Sequence, residues 1–420
     1  MIRFLLVLLS LVLAFQIGHA QQVIKLYTAQ PEEVGLSSDH LNLVKQLMQR
    51  YVDENKLPGM INVVARHGKV VCFGKYGLMG IDKPMQTDAI FRIASMTKPV
   101  TSVAVMMLYE EGRFQLDDPV EKYIPEFKEL KVFSSADQKG RHLEDQIKPM
   151  TIRNLLTFTS GLGSGVENTT VDSMYRAADL SGGTLKEMIQ KLAKIPLLYQ
   201  PGTRWKYGRS SDVLGYLVEV ISGKPLDQFF KERIFIPLKM KDTDYYVAKK
   251  KLNRVASVYR LDEHTGIKIL TDPEINNVST PVKFHSGNGG LLSTATDYLI
   301  FSQMLLNKGE YKGIRILESK TVDLMTSNHI TNEKMPDDDF FGPMLTGMGF
   351  GFGFAVLKDQ NSSTGSGSKG SYWWAGAANT YFYIDPREDI ILIFMTQIVP
   401  NIYYPVCKEF RELVYQSIVD

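Results

Sequence analysis

The stretch Phe91-Arg92-Ile93-Ala94-Ser95-Met96-Thr97-Lys98 opens an apolar run that reaches about Tyr109 and has the pattern of a helix. Ser95 and Lys98 are three residues apart. On a helix that spacing puts both side chains on one face, with β-carbons about 5 to 6 Å apart, so the hydroxyl and the amine can meet. A serine hydroxyl is a weak nucleophile at neutral pH and needs a neighbour to take its proton. A lysine does so only where burial or nearby charge lowers its pKa. A helix N-terminus adds free N–H groups and a positive dipole end, both of which favour the negative charge that develops in acyl transfer. The same spacing recurs at Ser366 and Lys369, inside a Gly/Ser-rich run without helical pattern. Spacing alone therefore does not separate a nucleophile from a capping serine with a solvated lysine beside it. The rest of the chain decides.

At the amino end, Arg3 precedes the apolar run Phe4 to Leu9, and further apolar residues close on Gly18-His19-Ala20 before Gln21. This is the layout of a secretory signal peptide over residues 1–20. The apolar core is short for a bilayer span and no later segment reaches the required length. No lipobox-type cysteine follows, so the expectation is a secreted or periplasmic protein without a stable membrane anchor. The 420 residues suffice for one large domain or two intimately packed ones. A formal net charge of +2, with no basic stripe, argues against nucleic acid as a partner. The seven histidines are scattered, without His-x-x-x-His or Cys-x-x-Cys spacing, so neither a metal nor another cofactor is expected. Cys72 and Cys407, the only cysteines, either pair across the chain or serve as separate small hydrophobes. Asn168, Asn277 and Asn361 begin Asn-x-Ser/Thr triplets.

A helix is predicted around Ser38 to Asn55, then a hairpin of Met60 to Arg66 and Lys69 to Gly74 about His67-Gly68. The helix opened by Ser95 ends at Glu111-Gly112, and Leu116-Asp117-Asp118-Pro119-Val120 starts a short one with proline at its beginning. Further helices are predicted at Thr151 to Leu156, Leu185 to Leu192 and Val213 to Ser222, so that Tyr123 to Asp244 reads as mostly helical with long polar loops. Phe350 to Val356, Thr380 to Ile384 and Ile390 to Met395 read as strands, and Tyr404 to Val419 as a final helix.

Several motifs occur in the order of one family: the Ser95 stretch, Leu116 to Val120, Leu155-Leu156-Thr157-Phe158-Thr159-Ser160-Gly161-Leu162, Pro201-Gly202-Thr203-Arg204-Trp205-Lys206-Tyr207, and Gly289-Gly290-Leu291-Leu292-Ser293-Thr294. The chain resembles serine hydrolases of the class C β-lactamase and penicillin-binding-protein-like superfamily, from about residue 35 to 415. That resemblance implies an α+β fold of the β-lactamase/transpeptidase type, an antiparallel sheet flanked by helices. Residues 35–98 and 285–415 would form the α/β domain and residues 99–284 an inserted, mainly helical one. It also implies Ser95 as nucleophile and Lys98 as its activating partner. The family's Tyr-x-Asn motif falls on Tyr207-Gly208-Arg209, so the tyrosine matches and Arg209 replaces the asparagine. A phenol beside a lysine ammonium can lose its proton below its reference pKa of about 10, which would let Tyr207 shuttle protons between serine and leaving group. Arg209 either binds an acidic substrate group or points to solvent.

The family's Lys-Thr-Gly strand falls on Trp373-Trp374-Ala375-Gly376-Ala377, as in its Trp-x-Gly esterases. Trp374 would line the substrate site as an apolar wall, with plain core packing as the alternative for one of the two tryptophans. Gly376 would let substrate approach the backbone, and the N–H groups of Ser95 and Ala377 would form the oxyanion hole. His285 stands near enough in sequence to the Gly287 to Ser293 loop to reach the cleft or to pack beside it. The expected function is that of an exported serine hydrolase acting through an acyl-enzyme on a small ester or amide. A β-lactamase or D-amino-acid peptidase of the same fold, and a non-catalytic binding module, are the alternatives. No Gly-x-Ser-x-Gly elbow exists in the chain, which excludes the α/β-hydrolase arrangement.

Overall fold

The β-branched runs about His67-Gly68 form strands β1 (Gly59–Arg66) and β2 (Lys69–Gly80). His67 and Gly68 both take positive φ, 52° and 69°, which is what a tight hairpin turn between twisted strands requires. The computed structural model describes residues 28–138, 140–262, 266–271, 277–331, 345–358, 365–400 and 404–420; the expected signal peptide and Asn361 lie outside them. The short β3 (Lys83–Pro84) completes the amino-terminal share of the sheet. The carboxyl part supplies β4 (Met348–Phe350), β5 (Ala355–Leu357), β6 (Tyr372–Gly376), β7 (Thr380–Asp385) and β8 (Ile390–Met395). Together they make one antiparallel sheet in the order β4-β5-β6-β7-β8-β1-β2-β3. The two ends of the chain meet where β1 pairs with β8, Ile61 opposite Met395 and Arg66 opposite Ile390. Every residue of β1 and β8 is buried; β8 reads as a continuous apolar run, whereas β1 also carries the buried Asn62 and Arg66.

Helices flank this sheet. The first, α1 (Ser38–Asp53), is capped by Ser37, whose hydroxyl accepts from the His40 N–H at 3.3 Å. α2 (Thr97–Glu110) is buried at every residue from Thr97 to Leu108, as its apolar composition on all sides requires. Between α2 and α8 (Ala295–Leu306) lie α3 (Ile152–Leu156), α4 (Thr170–Ala177), α5 (Leu185–Leu192), α6 (Ser210–Ser222) and α7 (Leu226–Phe230). α6 packs against α2, α3, α5 and α7, and is the centre of this helical layer. α8 packs on β1, β7 and β8, whereas α1 packs on β2 and on the carboxyl-terminal helix α9 (Val406–Gln416).

Some elements differ from expectation. The boundary expected between Lys98 and Pro99 falls inside the continuous α2. A hairpin of Val132–Asp137 and Gly140–Glu144 occupies a stretch that reads as helix and loop; only Val132 is buried and Phe133 half-buried, so the strands carry no alternating pattern to betray them. Phe350 to Val356 is two strands, broken where Gly353 takes φ 86°. Pro119 stands at the N-cap of a single 3-10 turn, Val120–Lys122, and not inside a helix. Cys72 and Cys407 are both free thiols. No helix among the described residues is long and apolar enough to cross a membrane.

Candidate active site

The Ser95 stretch is held from several sides. Phe91 and Arg92 pair with Ser293 and Leu292, and the Gln397 side chain both accepts from the Arg92 N–H and donates to the Arg92 carbonyl, each at 3.0 Å. Ile93 N–H donates to the Leu291 carbonyl at 3.1 Å. Ala94 then takes φ 43°, a left-handed conformation that costs a residue with a β-carbon on the order of 1–3 kcal/mol. This reverses the chain into a 3-10 turn, Ala94–Met96, that leads directly into α2. Ser95 therefore stands in the turn ahead of the α-helix and Lys98 in its first turn. The Tyr298 hydroxyl, donating to the Met96 carbonyl at 2.9 Å, anchors the turn from below.

Lys98 is 1% exposed, while Ser95 stays partly open. The Lys98 Nζ lies 3.1 Å from Ser95 Oγ and 2.7 Å from the Asn288 carbonyl oxygen, and is in short hydrogen-bond contact with Tyr207 Oη. Ser95 Oγ and Tyr207 Oη are 2.5 Å apart. Burial pushes the Lys98 amine well below the ordinary lysine value of 10.5; nearby Asp212 pulls it back up and Arg209 pushes it further down. Burial raises the Tyr207 phenol above its ordinary 10.0, against the opposing hydrogen bonds of Ser95 and Trp374. This direction is opposite to the one expected from the sequence: the dry surroundings favour the neutral phenol over the phenolate.

Tyr207 reaches the pair because its own segment is pinned. Lys206 N–H donates to the carbonyl of Phe158, itself at φ 56°, and Arg209 N–H donates to the Gly163 carbonyl at 3.1 Å. A β-carbon on Gly208 would come within 2.3 Å of the Leu162 carbonyl oxygen, so only glycine lets the two segments touch. The Tyr207 ring meets Phe158 edge-on at 5.7 Å and stacks on Trp374 at 5.9 Å.

The end of β6 lies against the Ser95 turn. A β-carbon on Gly376 would sit 2.4 Å from the Ile93 carbonyl oxygen, so the close approach that needs this glycine is that of the turn's own backbone. Ala377, exposed, begins the turn between β6 and β7. Trp374 and Trp373 are both buried, at 4% and 6% exposure; Trp374 stacks on the phenol and Trp373 packs on Tyr381. Trp374 also meets Phe350 edge-on at 5.6 Å, so its ring packs in the same aromatic cluster as Tyr207. The Arg209 guanidinium donates to the buried Asp212 carboxylate at 3.1 Å, which engages its charge in an ion pair. His285 is placed apart from the serine, 3.2 Å from Asp227 and against the Tyr245 ring. Among the described residues no group of three or more His, Cys, Asp or Glu side chains is placed to hold a metal ion. Sequence reasoning missed the Asn288 carbonyl, because a backbone acceptor leaves no residue-type signal; the neighbouring Gly289-Gly290 was the only pointer.

Residues 44–414 match the protein-family model described as Beta-lactamase. An uncharacterized protein of Mycobacterium tuberculosis is 36% identical over 358 residues, 83% of this chain and 88% of that one. Esterase EstB of Burkholderia gladioli is 28% identical over 386 residues, covering 86% of this chain and 92% of its own. The solved structure of EstCE1, a hydrolase with promiscuous acyltransferase activity, superposes with a TM-score of 0.76 at 26% identity, over 90% of this chain and 98% of that one. With the sheet and flanking helices of that fold and a family match over most of its length, the chain belongs to the β-lactamase family and is a serine hydrolase.

Proposed function

We propose that this protein is an exported esterase that works through a covalent acyl-serine, with Ser95 as nucleophile and Tyr207 and Lys98 as its proton relay. The observation that carries the reading is the set of mutual contacts among Ser95 Oγ, Tyr207 Oη and the buried Lys98 Nζ. An uncharged amine has two N–H donors and one lone pair. The donors go to the Asn288 carbonyl and to Ser95 Oγ, and the lone pair faces the phenol O–H. As Ser95 Oγ bonds to the substrate carbonyl carbon, its proton passes to Tyr207 Oη and the phenol proton passes to Lys98 Nζ. The amine becomes an ammonium for the lifetime of the tetrahedral intermediate. When that intermediate collapses, the leaving oxygen takes a proton back along the same path and the acyl group stays on Ser95. Water then repeats the sequence in the second half-reaction, or an alcohol accepts the acyl group. The N–H groups of Ser95 and Ala377 hold the developing oxyanion.

Small esters are favoured over β-lactams because β6 presents Tyr372-Trp373-Trp374-Ala375-Gly376, without a cation for a carboxylate, and Arg209 is engaged by Asp212. The similarity to EstB and to EstCE1 over most of their length supports the same reading. Losing the charged partner of a carboxylate in a desolvated site costs about 2–5 kcal/mol, so the best p-nitrophenyl ester should be turned over at least about 30-fold faster than a chromogenic cephalosporin. Comparing kcat/KM on an ester series of increasing chain length with that on the cephalosporin tests this. Equal turnover of the two would show that another cation serves the lactam carboxylate. Export is motivated by the Arg3 to Ala20 segment, and predicts that protein recovered outside the cytoplasm begins at Gln21; recovery only inside the cytoplasm with Met1 retained would contradict it.

A further inference from the structure

Asp212 takes no part in the relay above, yet its side chain is fully buried in the first turn of α6. Three donors converge on it: Arg209 Nη1 at 3.1 Å, Ser286 Oγ at 2.6 Å and the Asn288 N–H at 3.0 Å. The last two belong to the loop Ser286–Gly290, and the carbonyl of the same Asn288 accepts from Lys98 Nζ at 2.7 Å. The loop is clamped on both sides. Thr101 of α2 donates to the Gly287 carbonyl at 2.8 Å, the Tyr245 hydroxyl donates to the Ser286 carbonyl at 2.9 Å, and a β-carbon on Gly287 would sit 2.2 Å from the Ser211 carbonyl oxygen.

We propose that Asp212, with Arg209 as its counter-ion, is a positioning residue for Lys98: it fixes the Ser286–Gly290 loop so that the Asn288 carbonyl holds the amine against Ser95 and Tyr207. The inference rests on the reading of Lys98 as the base of Ser95. The carboxylate adds to what the loop supplies for itself, where Ser286 Oγ accepts from the Asn288 and Gly289 N–H groups, each at 3.1 Å; removing it takes the acceptor from the Ser286 hydroxyl and one of two acceptors from the Asn288 N–H. The pair also acts on the amine through its charges, with opposite signs: the carboxylate favours the ammonium and the guanidinium disfavours it. Other titratable groups face the region from the elements packed around it. Tyr207 lies across the amine, Tyr245 stands behind the loop, Tyr175 beside Arg209, and His285 at the foot of the loop is turned to Asp227. From β6, Trp374, which carries no charge, stacks on the Tyr207 ring.

The test is kcat and KM against pH on one p-nitrophenyl ester, using the whole mature chain with folding checked by circular dichroism. Asp212→Asn and Ser286→Ala should each lower kcat about tenfold or more with little change in KM, the size expected when a buried charge-assisted hydrogen bond is lost. The acid limb of kcat/KM reports protonation of Lys98. Loss of the carboxylate removes a charge that favours the ammonium, so in Asp212→Asn the limb should move to lower pH. It should stay in place in Ser286→Ala, and in the double variant Arg209→Gln/Asp212→Asn it should return toward its original position while kcat remains low. A residue that merely held the fold would lower the rate without moving the limb. Should Asp212→Asn fail to fold, the kcat of Ser286→Ala decides. An unmoved limb in Asp212→Asn, or kcat within twofold of wild type in Ser286→Ala, would overturn the inference. Lys98→Met separates the two levels: if it is inactive while the Asp212→Asn profile is unmoved, only this inference fails, whereas an active Lys98→Met removes the reading beneath it.

Discussion

Ser95→Ala is expected to abolish ester hydrolysis and covalent labelling by a fluorophosphonate probe, whereas Ser366→Ala should change neither. The two serines share the Ser-x-x-Lys spacing, and what separates them is local structure. Ser95 sits at a left-handed turn that delivers its hydroxyl 2.5 Å from a phenol and 3.1 Å from a buried amine. Ser366 lies in a non-helical segment whose Lys369 is exposed and so is not a buried amine like Lys98. Removing a nucleophile that acts with its base as a unit typically costs about 10⁴-fold or more in kcat. Residual labelling in Ser95→Ala would move the nucleophile elsewhere.

Tyr207→Phe should lower kcat by about 10²- to 10⁴-fold with little change in KM, because it removes the oxygen through which the serine proton leaves and keeps the ring that packs on Phe158 and Trp374. Lys98→Ala should lose a similar factor. The double variant should be little worse than either single one, since each alone breaks the same relay. Activity should rise with pH through the lowered pKa of Lys98, because only the unprotonated amine accepts a proton. The phenol, raised by burial, stays protonated across the neutral range and imposes no loss there. Steady-state kinetics of the three variants on one ester decide the matter; near-normal turnover by Tyr207→Phe would make Tyr207 structural and leave Lys98 as sole base.

Much of this arrangement is legible in the residues. The turn His67-Gly68 between β-branched runs, the capped period of Leu185 to Leu192 and the unbroken apolar run of Ile390 to Met395 each became the element their pattern predicts. In α5 the prediction works because Thr184 and Glu187 form a reciprocal cap, a local signal independent of tertiary structure. Ser95, Lys98 and Tyr207 were also readable, since each carries chemistry in its side chain. What escaped was set by contacts distant in sequence. Gly376 shows a need for close approach without naming its partner, and that partner is the Ile93 carbonyl. Arg209 stands out in the sequence as a free cation, but folding places the Asp212 carboxylate against it. Whether the phenol beside Lys98 ionises depends on burial, and sequence spacing carries no information about burial at a junction of α2, α6 and β6.

The central claim, an acyl-enzyme on Ser95, is tested most directly by rapid mixing with a slowly deacylating p-nitrophenyl ester, followed by acid quench and peptide mapping by mass spectrometry. The account predicts a burst of about one p-nitrophenol per enzyme molecule and an acyl group on the peptide containing Ser95. A burst with the acyl group on any other residue would contradict it.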